Sequence, residues 1–377
     1  MHSRLLSPQK GKSFFLFGPR GTGKTTWVRS QFPDALHLDL LEARLFNQLT
    51  ADPQRLADLV PNDHAGYVVL DEVQKVPALL DEVHRLIERR RLKFILTGSS
   101  ARKLRQGGLN LLAGRALTLA MHPLCAAEMG AAFNLRSSLR HGLLPAIGSE
   151  PDPRRYLDSY VHTYLDQEIR QEGLTRNLAA FARFLEAASF SQGAVLNVAA
   201  VARECAVERK VVESYFGILR DLMIAHELPV FARRAKRRLA VHSKFYFFDV
   251  GVFRALRPAG PLDTPEEAEG PALETLVLQN LMAVNDGLGR GYKIHYWRTP
   301  TGTEVDFVLY GNRGLWAFEV ERGQRVAASD TSGLKAFHAD YPVARTMLLY
   351  GGERRLTVDG VDVRPVGDFL RQLPKIL

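Results

Sequence analysis

The stretch SFFLFGPRGTGKTT, residues 13–26, decides the fold of the first part of the chain. Ser13–Phe17 has the composition of a buried β-strand, and glycines follow it at positions 18, 21 and 23. The next residues, 25–31, have the composition of a helix. A strand, a glycine-rich turn and a helix in this order are what a phosphate-binding loop requires. The sequence therefore predicts a parallel α/β sheet with an anion-binding loop at one edge.

The chemistry of the loop explains its residue types. Glycines let successive backbone N–H groups turn toward phosphate oxygens, and the N-terminus of the next helix favours negative charge. Lys24 supplies a point charge for the β- and γ-phosphates, and the Thr25 hydroxyl can coordinate Mg²⁺. A glycine turn with a purely structural purpose is the alternative. We expect a nucleoside triphosphate with Mg²⁺ to be bound and hydrolysed here, and the family resemblance given below implies that it is ATP. The residues expected to bind it are Gly18, Pro19, Arg20, Gly21, Thr22, Gly23, Lys24, Thr25 and Thr26.

A pair of carboxylates follows a second apolar strand. Residues 67–70 read Tyr-Val-Val-Leu, and Asp71 and Glu72 come directly after them. The carboxyl edge of a parallel sheet is where such a fold meets its ligand. We expect Asp71 to hold Mg²⁺ through water and Glu72 to orient and deprotonate the attacking water. A solvated strand end is the alternative interpretation.

Small hydroxyl side chains end the next strand. Residues 93–97 lead into Gly98-Ser99-Ser100, which places hydroxyls at the same sheet edge. Ser99 is the candidate γ-phosphate sensor, and Ser100 and Thr97 are its rivals. Serines that only form a turn or cap a helix are the alternative.

These motifs together resemble AAA-type ATPases. The resemblance includes Leu112-Ala113-Gly114-Arg115 and His122-Pro123-Leu124 ahead of Glu128, and it extends over nearly the whole chain. It is closest to a prokaryotic family in which the ATPase module precedes a C-terminal domain of unknown function. In AAA proteins an arginine at the place of Arg115 is catalytic toward a neighbouring subunit's γ-phosphate, which implies a homo-oligomeric ring, most simply a hexamer. A plain surface arginine is the alternative.

Changes of pattern along the chain predict further domains. Strands and longer mixed segments alternate up to about residue 123, helices dominate 128–190, and two helices followed by a hairpin over 198–249 are the order of a winged helix. The fold class is therefore α/β: a P-loop parallel-sheet domain of the AAA type with a helical lid, then a winged helix and a further α/β domain, which a second resemblance, given below, implies is restriction-endonuclease-like. The predicted bounds are 1–127 for the ATPase core, 128–190 for the lid or connector, 191–257 for the winged helix, 258–271 for a linker and 272–377 for the endonuclease-like domain.

Positive charge suggests a polyanionic partner. The formal net charge is +9 and the pI about 9.6. If the winged helix is present, its cations could neutralise DNA phosphates without reading sequence, because Glu208 and Glu213 stand at the start of the second helix. A protein-docking module is the alternative. The candidate DNA-binding residues are Arg209, Lys210, Arg233, Arg234, Lys236, Arg237 and Arg238.

The last domain resembles the restriction-endonuclease-like fold through Glu274, Asp306, Glu319 and Glu321. That resemblance implies a divalent metal held by an Asp and a Glu, and a lysine two residues past the Glu that activates water. Glu321 occupies the lysine's place, and Lys335 is a conceivable substitute. We therefore expect a vestigial site without nuclease activity.

Composition narrows the class of protein. Cys125 and Cys205 are far apart and lack metal-ligand spacing, and no apolar segment is suited to a signal peptide or a membrane span. We expect a soluble cytoplasmic protein that does not bind a membrane. The favoured function is an oligomeric ATPase that couples hydrolysis to DNA remodelling or translocation, with branched DNA as one candidate substrate. The alternatives are a regulatory NTPase switch, signalling or antitoxin-like, that binds a protein partner, and an ATP-regulated nuclease.

Overall fold

The computed structural model describes residues 2–102, 104, 112–165, 177–233, 242–258, 260 and 264–377. The chain divides into two compact units. The nucleotide-loop unit comprises residues 6–123 with 221–223, and the C-terminal unit comprises residues 1–5, 124–220 and 224–377.

The nucleotide-loop unit is built on a five-stranded parallel sheet with the order β2-β3-β4-β1-β5. Its strands are β1 (Ser13–Phe17), β2 (Leu36–Asp39), β3 (Tyr67–Asp71), β4 (Lys93–Gly98) and β5 (Ala116–Ala120). Its helices are α1 (Lys24–Gln31), α2 (Ala43–Ala51), α3 (Leu56–Leu59) and α4 (Leu79–Arg90). The predicted parallel α/β architecture is confirmed.

Alternate residues of the central strands enter two hydrophobic clusters. Phe15 and Leu70 belong to one cluster, and Phe14 and Val69 belong to the other. Because successive side chains of a strand point to opposite faces, both faces of the sheet are buried. This explains why the runs at 14–17 and 67–70 are apolar throughout.

The first part of the C-terminal unit is mainly helical. Its helices are α5 (Ala126–Met129), α6 (Leu135–His141), α7 (Pro153–Ser159), which continues into a π-helical segment Tyr160–Leu165, α8 (Leu178–Ser189), α9 (Val198–Cys205), α10 (Arg209–Asp221) and α11 (Val250–Leu256). The strands β6 (Ala225–Leu228) and β7 (Lys244–Phe247) form an antiparallel pair ahead of α11. The helices and the strand pair occur in the order expected of a winged helix, and that identification stays a prediction.

The second part of this unit is a six-stranded mixed sheet with the order β12-β13-β11-β10-β9-β8. Its elements are α12 (Pro265–Gly287), β8 (Lys293–Arg298), β9 (Glu304–Gly311), β10 (Gly314–Glu321), α13 (Ser332–Asp340), β11 (Arg345–Tyr350), β12 (Leu356–Val358), β13 (Val361–Pro365) and α14 (Val366–Ile376). β8, β9 and β10 are antiparallel, and β10 pairs in parallel with β11. A mixed α/β domain here agrees with the predicted fold class.

Helix α12 begins within the segment predicted as a linker, 258–271. Pro265 is its first residue, where a missing N–H costs nothing, and Glu267 and Glu269 lie near the positive end of the helix dipole. These residues favour a helix start, although their Pro and Glu content suggested a linker. Within the described ranges, no helix, α12 included, is both long and apolar enough to cross a bilayer.

Candidate nucleotide site and a buried lysine–carboxylate cluster

Glycine is required at three positions of the loop between β1 and α1. Gly21 and Gly23 have φ angles of 76° and 88°, in the left-handed region that other residues rarely adopt. A Cβ atom on Gly18 would lie 2.2 Å from the carbonyl oxygen of Met121. The loop can therefore approach the end of β5 closely and turn its backbone toward a ligand.

Lys24 is buried at the first turn of α1, with 6% of its surface exposed. Its Nζ donates hydrogen bonds to the carbonyl oxygens of Gly18 and Pro19, at 2.7 and 3.2 Å. The Thr22 hydroxyl donates to the same Pro19 carbonyl at 2.8 Å. Arg20 is exposed and lies in the same loop. The ammonium is thus held beside the backbone that is predicted to bind phosphate.

Asp71 connects the loop to the neighbouring strands. The Thr25 hydroxyl donates to its Oδ2 at 2.8 Å, and the Thr97 hydroxyl donates to its Oδ1. Asp71 is 7% exposed, whereas Thr26, next to Thr25, is exposed. A carboxylate and a hydroxyl are the hard oxygen ligands that Mg²⁺ prefers, and Mg²⁺ usually keeps several waters and uses one or two protein carboxylates. The donor set therefore fits Mg²⁺.

Glu72 is joined to Ser99 by a side chain that sequence reasoning missed. Gln74 Nε2 donates to Glu72 Oε2 at 2.5 Å and to Ser99 Oγ at 3.2 Å. Gln74 and Ser99 are both buried, and Glu72 has a φ of 60°, which is unusual for a residue other than glycine. The predicted base and the predicted sensor thus share one donor. The position of Gln74, two residues past Glu72, was a possible signal in the sequence.

The rivals of Ser99 have other bonds. Thr97 Oγ1 also accepts a hydrogen bond from Glu72 N at 3.3 Å, and Ser100 Oγ accepts one from Arg102 N at 3.3 Å. Thr97 therefore supports the carboxylate pair, and Ser100 stabilises the following turn. Ser99 stays the candidate for contact with the γ-phosphate.

Arg115 lies at the opposite end of the sheet from the loop of its own chain. β1 and β5 are parallel, with Ser13 opposite Ala116 and Phe17 opposite Ala120, so Arg115 precedes the end of β5 that is remote from the loop. The intervening strand is about 16 Å long. The Arg115 Nε donates to Glu88 Oε1 at 2.5 Å, and this hydrogen bond and the charge of Arg115 lower the pKa of Glu88. Arg115 is too far away to serve its own loop.

The DNA-binding candidates are only partly described. Arg209 and Lys210 are exposed at the start of α10, and Arg209 Nε pairs with Glu213 Oε1 at 2.9 Å. The Arg233 guanidinium lies 4.9 Å from the centre of the Tyr310 ring. The candidates Arg234, Lys236, Arg237 and Arg238 lie outside the described residues.

The acidic residues of the endonuclease-like part surround a lysine from a distant segment. Lys244 on β7 is 2% exposed, and its Nζ lies 3.0 Å from Asp306 Oδ1 and 3.6 Å from Glu274 Oε2. It also pairs with Glu304, a residue that sequence reasoning missed and that Arg298 contacts at 3.1 Å. Asp306 further accepts a hydrogen bond from the Val320 backbone. Glu321 still occupies the lysine's place in the motif, but a lysine that the sequence did not indicate reaches the cluster from β7.

The other residues predicted for the endonuclease-like site differ in their contact with this cluster. Lys335, the conceivable substitute, instead forms an exposed pair with Asp359 at 2.7 Å. Glu319 Oε2 is buried, and it has no hydrogen-bond partner within the described parts of the chain. Glu321 is partly buried, and burial with the charges of Asp330 and Asp306 raises its pKa.

Burial and mutual repulsion set the protonation of the cluster. Burial and the charge of Asp306 raise the pKa of Glu274 to about 8, and the same two causes raise the pKa of Glu319 well above its usual value. Burial acts to lower the pKa of Lys244, but the surrounding negative groups outweigh it and hold this pKa well above normal. The fully buried Tyr246 hydroxyl donates to Glu274 Oε2 at 2.7 Å. At neutral pH the cluster therefore holds a charged Lys244 and, in most molecules, a protonated Glu274.

The nucleotide-loop unit has the sheet order and polar strand ends of a P-loop nucleotide-binding domain. Comparison with protein families agrees: residues 10–130 match a model described as an AAA domain. Residues 133–263 and 269–369 match two models described as domains of unknown function, DUF8612 and DUF4143. Residues 10–130 therefore carry an AAA-type domain, and two domains of unknown function follow it, as the resemblance implied.

Two curated relatives align with this chain over most of their length. The uncharacterized proteins Mb2031c of Mycobacterium bovis and Rv2008c of Mycobacterium tuberculosis are each 27% identical over 364 residues, which is 94% of this chain and 79% of theirs. Among solved structures, the Aeropyrum pernix ORC1 protein in complex with DNA matches with a TM-score of 0.26 and 15% identity, over 66% of this chain and 87% of its own. The Vibrio cholerae protein VC1899 matches with a TM-score of 0.23 and 13% identity, over 91% and 96%. At these scores the two structures carry no inference about this chain.

Proposed function

We propose that the protein hydrolyses ATP with Mg²⁺ at the loop between β1 and α1. The observation that carries the proposal is the bonding of Asp71 to both Thr25 and Thr97, with Glu72 next to it on the same sheet edge. A binding site without turnover needs no second carboxylate there, whereas hydrolysis needs a base for water.

Each side chain then has a distinct task. The backbone N–H groups of the loop and the Lys24 ammonium bind the phosphates, and Thr25 and Asp71 hold Mg²⁺, which neutralises charge on the phosphate oxygens. Glu72 accepts the proton of the attacking water, and Ser99 contacts the γ-phosphate. Groups from three segments, namely the loop with α1, the end of β3 and the end of β4, thereby act on a single phosphoryl group.

Variants of the two central residues test the proposal. Lys24→Ala should abolish ATP binding in isothermal titration calorimetry. Glu72→Gln should bind ATP with wild-type affinity and lose about 100-fold or more in phosphate release. Glu42→Gln, at an exposed position of the same unit, is the charge-matched control and should behave as wild type. Unchanged ATP affinity in Lys24→Ala would refute the proposal.

We infer that Arg115 acts on a neighbouring subunit in a ring, most simply a hexamer. The remoteness of Arg115 from its own loop supports action between subunits. Arg115→Ala should bind ATP normally and lose turnover. Mixing it with Glu72→Gln should restore part of the activity, because some interfaces then combine an intact Glu72 with an intact Arg115. No recovery on mixing, or a monomeric mass with ATP in light scattering, would refute the ring.

We also propose that hydrolysis is coupled to sequence-independent DNA binding and to remodelling or translocation. The net charge of +9 supports a polyanionic partner. Duplex, single-stranded and branched DNA should each be tested as stimulators of ATPase activity at low and moderate salt. Stimulation that weakens with salt is expected, whereas no response would favour the alternative, a regulatory switch directed at a protein partner.

Nuclease activity is not part of the proposal, because the Lys244 ammonium already pairs with the carboxylates that a metal would need. DNA nicking with Mg²⁺ or Mn²⁺ that Asp306→Ala abolishes would contradict this. Cys125 and Cys205 are both free and buried, which supports our proposal of a reducing, cytoplasmic location.

A further inference from the structure

The C-terminal unit contains a cavity of about 360 Å³ with an unusually basic lining. Four arginines and a histidine line it: Arg140, His141, Arg154, Arg254 and Arg257. The described residues that line it include no Asp or Glu, although acidic side chains lie near its rim. Its volume falls in the range of small-molecule sites.

Close backbone contacts between α6 and α11 build this cavity. The buried Asp249 caps α11 by accepting hydrogen bonds from Gly251 N and Val252 N, and its other oxygen accepts one from Leu143 N at 2.8 Å. A Cβ atom on Gly142 would lie 2.0 Å from Asp249 Oδ1, and one on Gly251 would lie 2.2 Å from the His141 carbonyl oxygen. Glycine at both positions lets the end of α6 touch the start of α11.

This contact brings like charges together. Arg140 and His141 end α6, and Arg254 lies on α11. The Arg254 Nε is buried, and no hydrogen-bond partner for it occurs among the described residues. Burial lowers the pKa of Arg254, and Arg140 lowers it further against the opposing charge of Glu269. Arg254 is only partly buried, but a buried N–H without an acceptor is costly unless an anion accepts its hydrogen bond.

The remaining cations are weakly neutralised. The Arg257 side chain is 11% exposed, lies 4.5 Å from the centre of the Phe190 ring and reaches Glu267 only at 3.7 Å. The Arg154 side chain is 70% exposed, and its Nε lies 3.7 Å from Asp158 Oδ1. Burial, followed by the charges of Arg140, Arg254 and Arg154, lowers the pKa of His141, as expected in a positive potential.

We propose that this cavity binds a phosphate-bearing anion. Guanidinium groups suit phosphate because their planar donors can form paired hydrogen bonds to two of its oxygens. Arg254 contacts the phosphate from the inner wall, and Arg140 and Arg154 contact it from the exposed side. The phosphate belongs either to a small molecule or to a DNA backbone. This site shares no residue with the loop between β1 and α1, so the proposal does not depend on the proposed ATP hydrolysis.

The test uses the full chain carrying Lys24→Ala, so that the loop contributes little. Pyrophosphate binding is measured by isothermal titration calorimetry. Arg254→Gln should weaken affinity about tenfold or more, since a hydrogen bond to a charged group contributes about 1.5–3 kcal/mol. Arg313→Gln removes the same charge from an exposed position of the same unit and should change affinity less than about twofold.

A second variant and competition experiments distinguish the possible ligands. Arg140→Gln, at an exposed position, should weaken binding about threefold and answers the question even if Arg254→Gln fails to fold. AMP should compete with pyrophosphate and adenosine should not. If a short DNA duplex competes with pyrophosphate, the phosphate belongs to DNA. If AMP competes and the duplex does not, the phosphate belongs to a small molecule. Both results support phosphate recognition. No binding at millimolar pyrophosphate, equal effects of Arg254→Gln and Arg313→Gln, or equal competition by adenosine would overturn the proposal.

Discussion

Replacing Lys244 with methionine should strongly destabilise the C-terminal unit. The residue is 2% exposed, and methionine fills similar space without the charge. The ammonium now pairs with Glu304, Asp306 and Glu274. Without the ammonium, these buried carboxylates face one another with no positive charge between them.

The loss of stability in Lys244→Met depends on the partners that each carboxylate keeps when the ammonium is gone. Glu304 keeps its pair with Arg298 at 3.1 Å, and Glu274, with its pKa of about 8, is already protonated for most molecules at pH 7. Asp306 keeps only the Val320 N–H, at 3.0 Å, in place of a buried cation. Asp306 is then a buried charge without a counter-charge. Breaking a buried ion pair in this way should lower the free energy of unfolding by about 3 kcal/mol, the lower end of the usual range.

The cost should depend on pH with a definite sign. The pKa of Glu274 is about 8 in the folded chain, above the value of about 4.3 expected when unfolded, so the folded state binds more protons between these values. The wild-type unit therefore loses stability as pH rises from about 5 to 8. Because the Lys244 charge lowers the pKa of Glu274, its removal in Lys244→Met raises that pKa further, and the variant loses more stability than the wild type as pH rises. The destabilisation by Lys244→Met should therefore be smaller at pH 5.5 than at pH 8.

Urea unfolding measures both effects. In a Trp27→Phe background the remaining tryptophans, Trp297 and Trp316, report only on the C-terminal unit. Lys335→Met is the matched control, because its pair with Asp359 is about half exposed and should contribute at most about 1 kcal/mol at either pH. A cost for Lys244→Met no larger than that of Lys335→Met at pH 8, or an equal cost at pH 5.5 and pH 8, would show that the ammonium does not hold the cluster.

Three other perturbations address the nucleotide site. Gln74→Met should leave ATP affinity unchanged and lower turnover about tenfold, because Glu72 loses an orienting donor; equal losses in affinity would indicate a structural role instead. Gly18→Ala should lower the free energy of unfolding by about 1–3 kcal/mol, since its Cβ would meet the Met121 carbonyl oxygen at 2.2 Å; an unchanged urea midpoint would contradict this. Asp71→Asn should raise the Mg²⁺ concentration for half-maximal turnover about tenfold, and chelating Mg²⁺ with EDTA should stop turnover in the wild type; a Mg²⁺ response like that of the wild type would exclude Asp71 as the metal carboxylate.

The sequence was most informative where structure is local. β1, the glycines and α1 are adjacent in the chain, and an apolar run such as 67–70 has few alternatives to a central strand. Ends of parallel strands converge on one edge, so the meeting of Thr25 with Asp71 could be anticipated before any distance was known. Predictions of this kind need only the chain order and the period of a strand.

Contacts between distant segments could not be read in the same way. Lys244 precedes Asp306 by 62 residues and lies on a strand that was predicted as part of a hairpin, so nothing in the spacing pointed to the pair. Gln74 is near Glu72 in sequence, yet its second partner, Ser99, is on another strand. The bond between Glu88 and Arg115 also joins separate elements. In each case the partner is chosen by packing rather than by periodicity.

The absence of a lysine at position 321 suggested a group of carboxylates without a cation, but Lys244 on β7 supplies the cation. The same reasoning distinguishes the two carboxylate sites of the chain. Asp71 has neutral hydroxyl partners, Thr25 and Thr97, so its negative charge remains available to a metal ion. Asp306 has an ammonium 3.0 Å away that already balances it, and a divalent cation would have to displace Lys244 and its neighbours' protons. Mg²⁺ should therefore bind beside the nucleotide loop in preference to the endonuclease-like cluster.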